Sequence, residues 1–166
     1  MTVEDVIASG ATQSNPVNYS KYKTKSPEET AAFAREIASH LRSRDVILLQ
    51  GDLGTGKSIF ARALIQYLCG EDTEVPSPTF TLVQTYETPA FVLWHFDLYR
   101  LNHSAEVYEL GIEEAYATGV SLIEWPERLG GQLPADRLDV ELKPEGEGRT
   151  AALTAHGAWR EKLGSI

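Results

Sequence analysis

Residues 51–58 read Gly51-Asp52-Leu53-Gly54-Thr55-Gly56-Lys57-Ser58. The spacing is G-x-x-x-x-G-K-[ST], the Walker A pattern, and each residue type in it answers a need of phosphate chemistry. Glycines take backbone angles that a β-carbon forbids, so successive N–H groups can turn toward one anion. A helix opening at Lys57 aims the positive end of its dipole at the same point. Lys57 supplies a mobile cation for β- and γ-phosphates. The Ser58 hydroxyl is a hard oxygen ligand suited to Mg2+. The chemistry implied is binding and hydrolysis of a nucleoside triphosphate.

Hydrolysis beside such a loop needs an acid at the end of a neighbouring strand, to orient Mg2+ or the attacking water. Two candidates stand in place. The run Phe91–Phe96 ends in Asp97, and the run Val120–Ile123 ends in Glu124. Glu124 fits better, because its run is short, apolar and flanked by helical segments, as central parallel strands are. Which of the two polarises the water is left open. Thr79, after Ser77-Pro78, is either a loop hydroxyl that senses the γ-phosphate and its metal or a β-favouring residue after a turn. Trp125 is either a core anchor or a wall of the nucleotide site. His95 reads as a packed strand residue and Cys69 as core.

These residues need elements to hold them. Ser26-Pro27-Glu28-Glu29 is a helix start with a cap, a proline at the first position and a capping-box glutamate. Phe33, Ile37 and Leu41 follow at helical spacing, so a helix is expected to run to about Arg44. Val46–Leu49 is a buried strand leading into the glycine loop, and an apolar helix follows as far as Cys69. Thr79–Thr85 and Phe91–Phe96 read as an antiparallel pair. Asn102–Thr118 is helical with a break at Gly111, and Val120–Ile123 is a second apolar strand. Trp125–Leu129 opens a short helix. Arg137–Leu142 and Arg149–Thr154 form a terminal hairpin. Tyr19–Lys25 reads as a first edge strand. The expected fold is α/β: a P-loop NTPase, a three-layer sandwich with a mixed central sheet and a C-terminal antiparallel hairpin. The expected organisation is a mobile tail over 1–18, an ATPase domain over 19–157 and a short helix or tail over 158–166.

Composition limits the partners. The chain has 166 residues, with 15 Lys plus Arg against 24 Asp plus Glu and a net charge of −9. No basic cluster offers the face that displaces counterions from a polyphosphate, so tight direct nucleic-acid binding is not expected. The single cysteine permits no internal disulfide, and no apolar run approaches the ~18 residues of a membrane span. No membrane association and a cytoplasmic location are expected.

The segments at 51–58, Ser77-Pro78-Thr79-Phe80, His95-Phe96-Asp97-Leu98-Tyr99-Arg100-Leu101 and Ile123-Glu124-Trp125-Pro126-Glu127, in this order, resemble the TsaE (YjeE) family. The resemblance runs from about residue 22 to 157, and Ser58 stands where the family usually has Thr. It implies a bacterial ATPase required for threonylcarbamoyladenosine at position 37 of tRNA, working with TsaB and TsaD and using ATP and Mg2+. Carried over by motif, Gly54, Thr55, Gly56, Lys57, Ser58 and Ile59 hold phosphates. Ser58 and Glu124 hold Mg2+, Asp97 supports hydrolysis, Thr79 lies in a switch-like loop and Trp125 borders the site. By position, Pro27 to Glu29 and Arg149 also reach the nucleotide. Two other readings share the loop. A small-molecule kinase would need an arginine-rich lid, yet only Arg62 lies between Arg44 and Arg100. A GTPase switch would need N-K-x-D and D-x-x-G motifs, and neither is present.

Overall fold

The computed structural model describes residues 2–7 and 18–166. Eight strands form one mixed sheet among the described residues: β1 (Thr2–Ile7), β2 (Asn18–Thr24), β3 (Val46–Gln50), β4 (Val83–Glu87), β5 (Val92–Asp97), β6 (Val120–Glu124), β7 (Arg137–Glu145) and β8 (Gly148–His156). Their order is β1-β2-β8-β7-β3-β6-β5-β4. β3 runs parallel to both β6 and β7, and β5 parallel to β6, while the outer pairings are antiparallel. The helices are α1 (Pro27–Ala38), α2 (Lys57–Cys69), α3 (Ile112–Thr118) and α4 (Trp159–Leu163), with 3-10 turns at Ser104–Tyr108 and Pro126–Leu129.

Two apolar cores cover the two faces of the sheet. Strand pleating sends Ile47 and Leu49 to the core shared with α1, α2 and α4, and Val46 and Leu48 to the core shared with α3 and the 3-10 turns. β3 is therefore buried on both sides, and its continuous apolar run was the sign of that. This matches the expected layering, the mixed sheet and the terminal hairpin.

Boundaries differ from expectation for local reasons. α1 starts as read: Glu29 N–H donates to Ser26 Oγ at 3.2 Å, and Lys25 N–H donates to Glu29 Oε1 at 3.0 Å. It stops at Ala38, not near Arg44. The next turn tightens, with His40 N–H bonded to Ile37 O and Leu41 N–H to Ala38 O, and Arg44 adopts φ 78°. Leu41 stays buried all the same, which is why the helical spacing extended past the helix. β4 begins at Val83 instead of Thr79. Leu82 N–H closes a turn on Pro78 O at 2.7 Å with φ 69° at Leu82, so Thr79 remains in a loop. Tyr19–Lys25 is not an edge, because β2 lies between β1 and β8. Thr2–Ile7, expected within a tail, pairs antiparallel with β2, and the register sets Glu4 opposite Lys21. Its sequence lacks clean alternation, so nothing in the pattern marked it as a strand. The remainder of that expected tail, residue 1 and residues 8–17, lies outside the described residues.

Phe33 joins the layers that carry the glycine loop. Its ring is fully buried, 4.7 Å from the Tyr22 ring of β2 and 6.2 Å from the Phe60 ring of α2. Phe33→Ala should cost about 3–5 kcal/mol of stability, read as a lower urea midpoint with an unchanged slope. A shift below about 1 kcal/mol would mean that α1 does not anchor α2.

Candidate active site

The parallel strands β3, β5 and β6 end on one side of the sheet, and each hands its next residues to the same cleft. This is where open α/β sheets bind ligands. β7 runs with β3, so the turn after it lies at that side too and returns the start of β8 with Arg149. The resulting cleft, about 350 Å³, is lined by Leu53, Gly54, Gly56, Lys57, Ser58, Ile59, Ser77, Thr79, Asp97, Glu124, Trp125 and Arg149. The structure thus brings Thr79, Asp97, Glu124, Trp125 and Arg149 to one cleft with Gly54, Gly56, Lys57, Ser58 and Ile59. Thr55 lies in the loop but turns inward, buried, with its hydroxyl donating to Asp52 O at 2.8 Å. Of the α1 start, Pro27 lines a neighbouring pocket that also contains Gly56, Ile59 and Arg149.

The loop is shaped by backbone that only glycine tolerates well. Gly54 and Gly56 have φ 82° and 101°. At Gly51, φ is 149° and a β-carbon would come within 2.6 Å of Thr55 Oγ1 and 2.7 Å of Leu142 O. Arg149 fixes the loop from outside: Nε donates to Thr55 O at 3.1 Å and Nη2 to Gly54 O at 3.2 Å. A trans peptide points its N–H opposite its carbonyl, so these bonds turn the amides of Thr55 and Gly56 away from Arg149.

Lys57 is the first residue of α2 and is 6% exposed. Its Nζ has no hydrogen-bond partner among the described residues and lies 3.7 Å from the centre of the Trp125 ring. Lost hydration pushes its pKa below the ordinary lysine value, while Glu124, Asp97, Glu127 and Asp52 pull it back up. Trp125 holds φ 59°, rare for a bulky residue, and packs against the Tyr99 ring at 4.8 Å. It is both a partner of the apolar core and a wall of the cleft.

Asp97 and Glu124 are direct neighbours in the parallel register of β5 and β6, and both are buried. Asp97 Oδ1 accepts the Tyr99 N–H at 3.1 Å. Burial raises its pKa above the ordinary carboxylate value; the Tyr99 N–H opposes this, and the Glu124 charge adds to it. Glu124 Oε2 is 2.7 Å from His95 Nε2. That contact was not expected from sequence. The available signal was the two-residue spacing of His95 and Asp97, which puts both on one face of a strand. Thr79 Oγ1 pairs with Ser77 Oγ at 2.6 Å at the cleft edge. Arg100 lies over the exposed Phe80 ring at 4.7 Å and does not line the cleft.

A family model described as "Threonylcarbamoyl adenosine biosynthesis protein TsaE" matches residues 24–151. A tRNA threonylcarbamoyladenosine biosynthesis protein TsaE of Rickettsia bellii is 50% identical over 118 residues, 71% of this chain and 82% of that protein. The protein of that name from Bacillus subtilis is 38% identical over 145 residues, 86% of this chain and 90% of its own length. The crystal structure of Bacillus subtilis YdiB aligns with a TM-score of 0.72 and 32% identity, covering 90% of this chain and 93% of that one. These matches define a class of mixed α/β proteins of similar length. The chain belongs to the TsaE family.

The raised pKa of Asp97 has a sign that can be tested. A carboxyl whose folded pKa lies above its unfolded value makes the protein lose stability as pH rises between the two. Asp97→Asn keeps an acceptor for Tyr99 N–H and removes the charge. It should raise stability at pH 7, and the gain should vanish as pH falls to the ordinary carboxylate range. Calorimetry at pH 4 and pH 7 decides it; a variant less stable at pH 7 contradicts the burial argument.

Proposed function

We propose that the chain is a Mg2+-dependent ATPase of the P-loop NTPase fold, with residues 19–157 as its ATPase domain. It acts in forming threonylcarbamoyladenosine at position 37 of tRNA, hydrolysing ATP to ADP and phosphate to cycle a partner complex of TsaB and TsaD. The membership of the TsaE family supports the pathway. The observation that carries the activity is Lys57: a buried ammonium without a hydrogen-bond partner, at the mouth of a loop whose amides are turned by Arg149. An orphaned cation beside a glycine cradle fits a polyphosphate, and burying it otherwise costs stability.

Each residue then has a task. Gly54 to Ile59 hold phosphate oxygens, with Lys57 leaving the Trp125 ring for the β- and γ-phosphates. Ser58 and Glu124 hold Mg2+, which supplies charge neutralisation across the phosphates when bound. Among the described residues no cluster of three or more His, Cys, Asp or Glu forms a metal cage. A Mg2+ ion that arrives with a nucleotide would need no such cage. Asp97 supports hydrolysis from the cleft wall, and Thr79 lies in a switch-like loop at its edge.

Arg149 is the one arginine lining the cleft, and its guanidinium is engaged by loop carbonyls. Beside the metal and the loop amides, Lys57 is then the one cationic side chain among the described residues of the cleft left to meet charge developing on the γ-phosphate. An absent arginine typically costs on the order of 10³–10⁵ in rate. Purified protein should therefore release phosphate slowly and accelerate when TsaB and TsaD are added, and Lys57→Ala should abolish both rates. In a depletion strain, wild type should restore the modified adenosine and Lys57→Ala should not. A full rate without partners, or rescue by Lys57→Ala, would refute the reading. So would transfer of labelled phosphate to a metabolite, which would mark a kinase.

A further inference from the structure

We propose that His95 is a positioning residue that sets the Glu124 carboxylate for the metal–nucleotide complex; this rests on the ATPase reading above. His95 stands diagonally across the parallel register from Glu124, opposite Leu122 and two residues before Asp97. Its side chain is 3% exposed, and Nε2 lies 2.7 Å from Glu124 Oε2. Nδ1 is buried without a partner among the described residues, so that contact is the one hydrogen bond of the ring they show. An ionised carboxylate accepts only, so Nε2 carries the proton and donates it.

One carboxylate oxygen is thereby anchored and the other is not. Glu124 Oε1 takes no protein hydrogen bond among the described residues and belongs to a side chain that lines the cleft. A small cavity of about 60 Å³ is lined by Ser58, His95 and Glu124 together. The imidazole thus stands on the same side as the two oxygen donors assigned to Mg2+. A glutamate at a strand end has several rotamers, and a rigid donor from the next strand selects one of them. Orientation of this kind through an outer partner is how ligating carboxylates are tuned.

The test compares full-length wild type, H95L, H95Q and H95N. The Gln amide nitrogen reaches the place of Nε2 and still donates; Asn is too short to reach it. ATP affinity is measured with Mg2+ and with EDTA, Mn2+ retention on the protein–nucleotide complex is read by electron paramagnetic resonance, and melting is recorded for each chain. H95L should weaken the metal–nucleotide complex about 10–100-fold while leaving metal-free ATP affinity within about twofold, and H95Q should recover most of the loss. H95N should behave like H95L, and it takes the place of H95L if the leucine chain does not fold. Equal losses with and without metal would assign His95 to packing and overturn the proposal. So would a Gln variant no better than Leu or Asn, or a chain that folds with neither of those two. A wild-type chain whose ATP affinity gains nothing from metal would sink the ATPase reading, and the role of His95 with it. A wild type that gains while H95L gains equally sinks the role of His95 alone.

Discussion

Lys57 is the group on which the rest of the site depends. A buried ammonium is costly, and among the described residues no oxygen accepts a hydrogen bond from this one. Its charge is sustained at a distance by Glu124, Asp97, Glu127 and Asp52, and at contact by the face of Trp125. Of these acids Asp97 and Glu124 are themselves buried, while Glu127 and Asp52 stand exposed. Neither side of this arrangement is well satisfied by the other, and a polyanion with a divalent cation would satisfy both. The left-handed backbone at Trp125 belongs to the same compromise, because it sets the indole under the ammonium.

What brings these groups together is strand register. Asp97 and Glu124 are partners because β5 and β6 run parallel and end level, and β3 ends beside them. Side-chain alternation then sends His95 and Asp97 to one face. The two cores hold that register, since slipping β3 by one residue would exchange Ile47 and Leu49 with Val46 and Leu48 between layers.

Much of this was legible in the sequence because it rests on local patterns. The loop 51–58 has a glycine spacing with one structural meaning, and the apolar runs ending in Asp97 and Glu124 marked two strand ends. Ser26, Pro27 and Glu29 marked the start of α1. The end of α1 was not legible, because Leu41 keeps the helical spacing while tightened turns carry it. Thr79 to Leu82 have strand-forming side chains, yet a turn closed on Pro78 O overrides that preference. β1 left no periodic trace. The bond between His95 and Glu124 joins residues 29 apart, and its existence depends on a register that no short segment encodes. The same holds for Arg149, which is 94 residues from the carbonyl it grips.

That last separation bears on how the protein is made. A ribosome delivers residues 51–58 early, and α2 can form on them at once, but their carbonyls wait for an arginine near the far end of the chain. Until β7 and β8 emerge and close their hairpin beside β3, the loop has its glycines without its outer brace. The loop's outer brace is therefore set only when Arg149 reaches it, and a nascent chain halted before that residue would carry the motif without its rigid form.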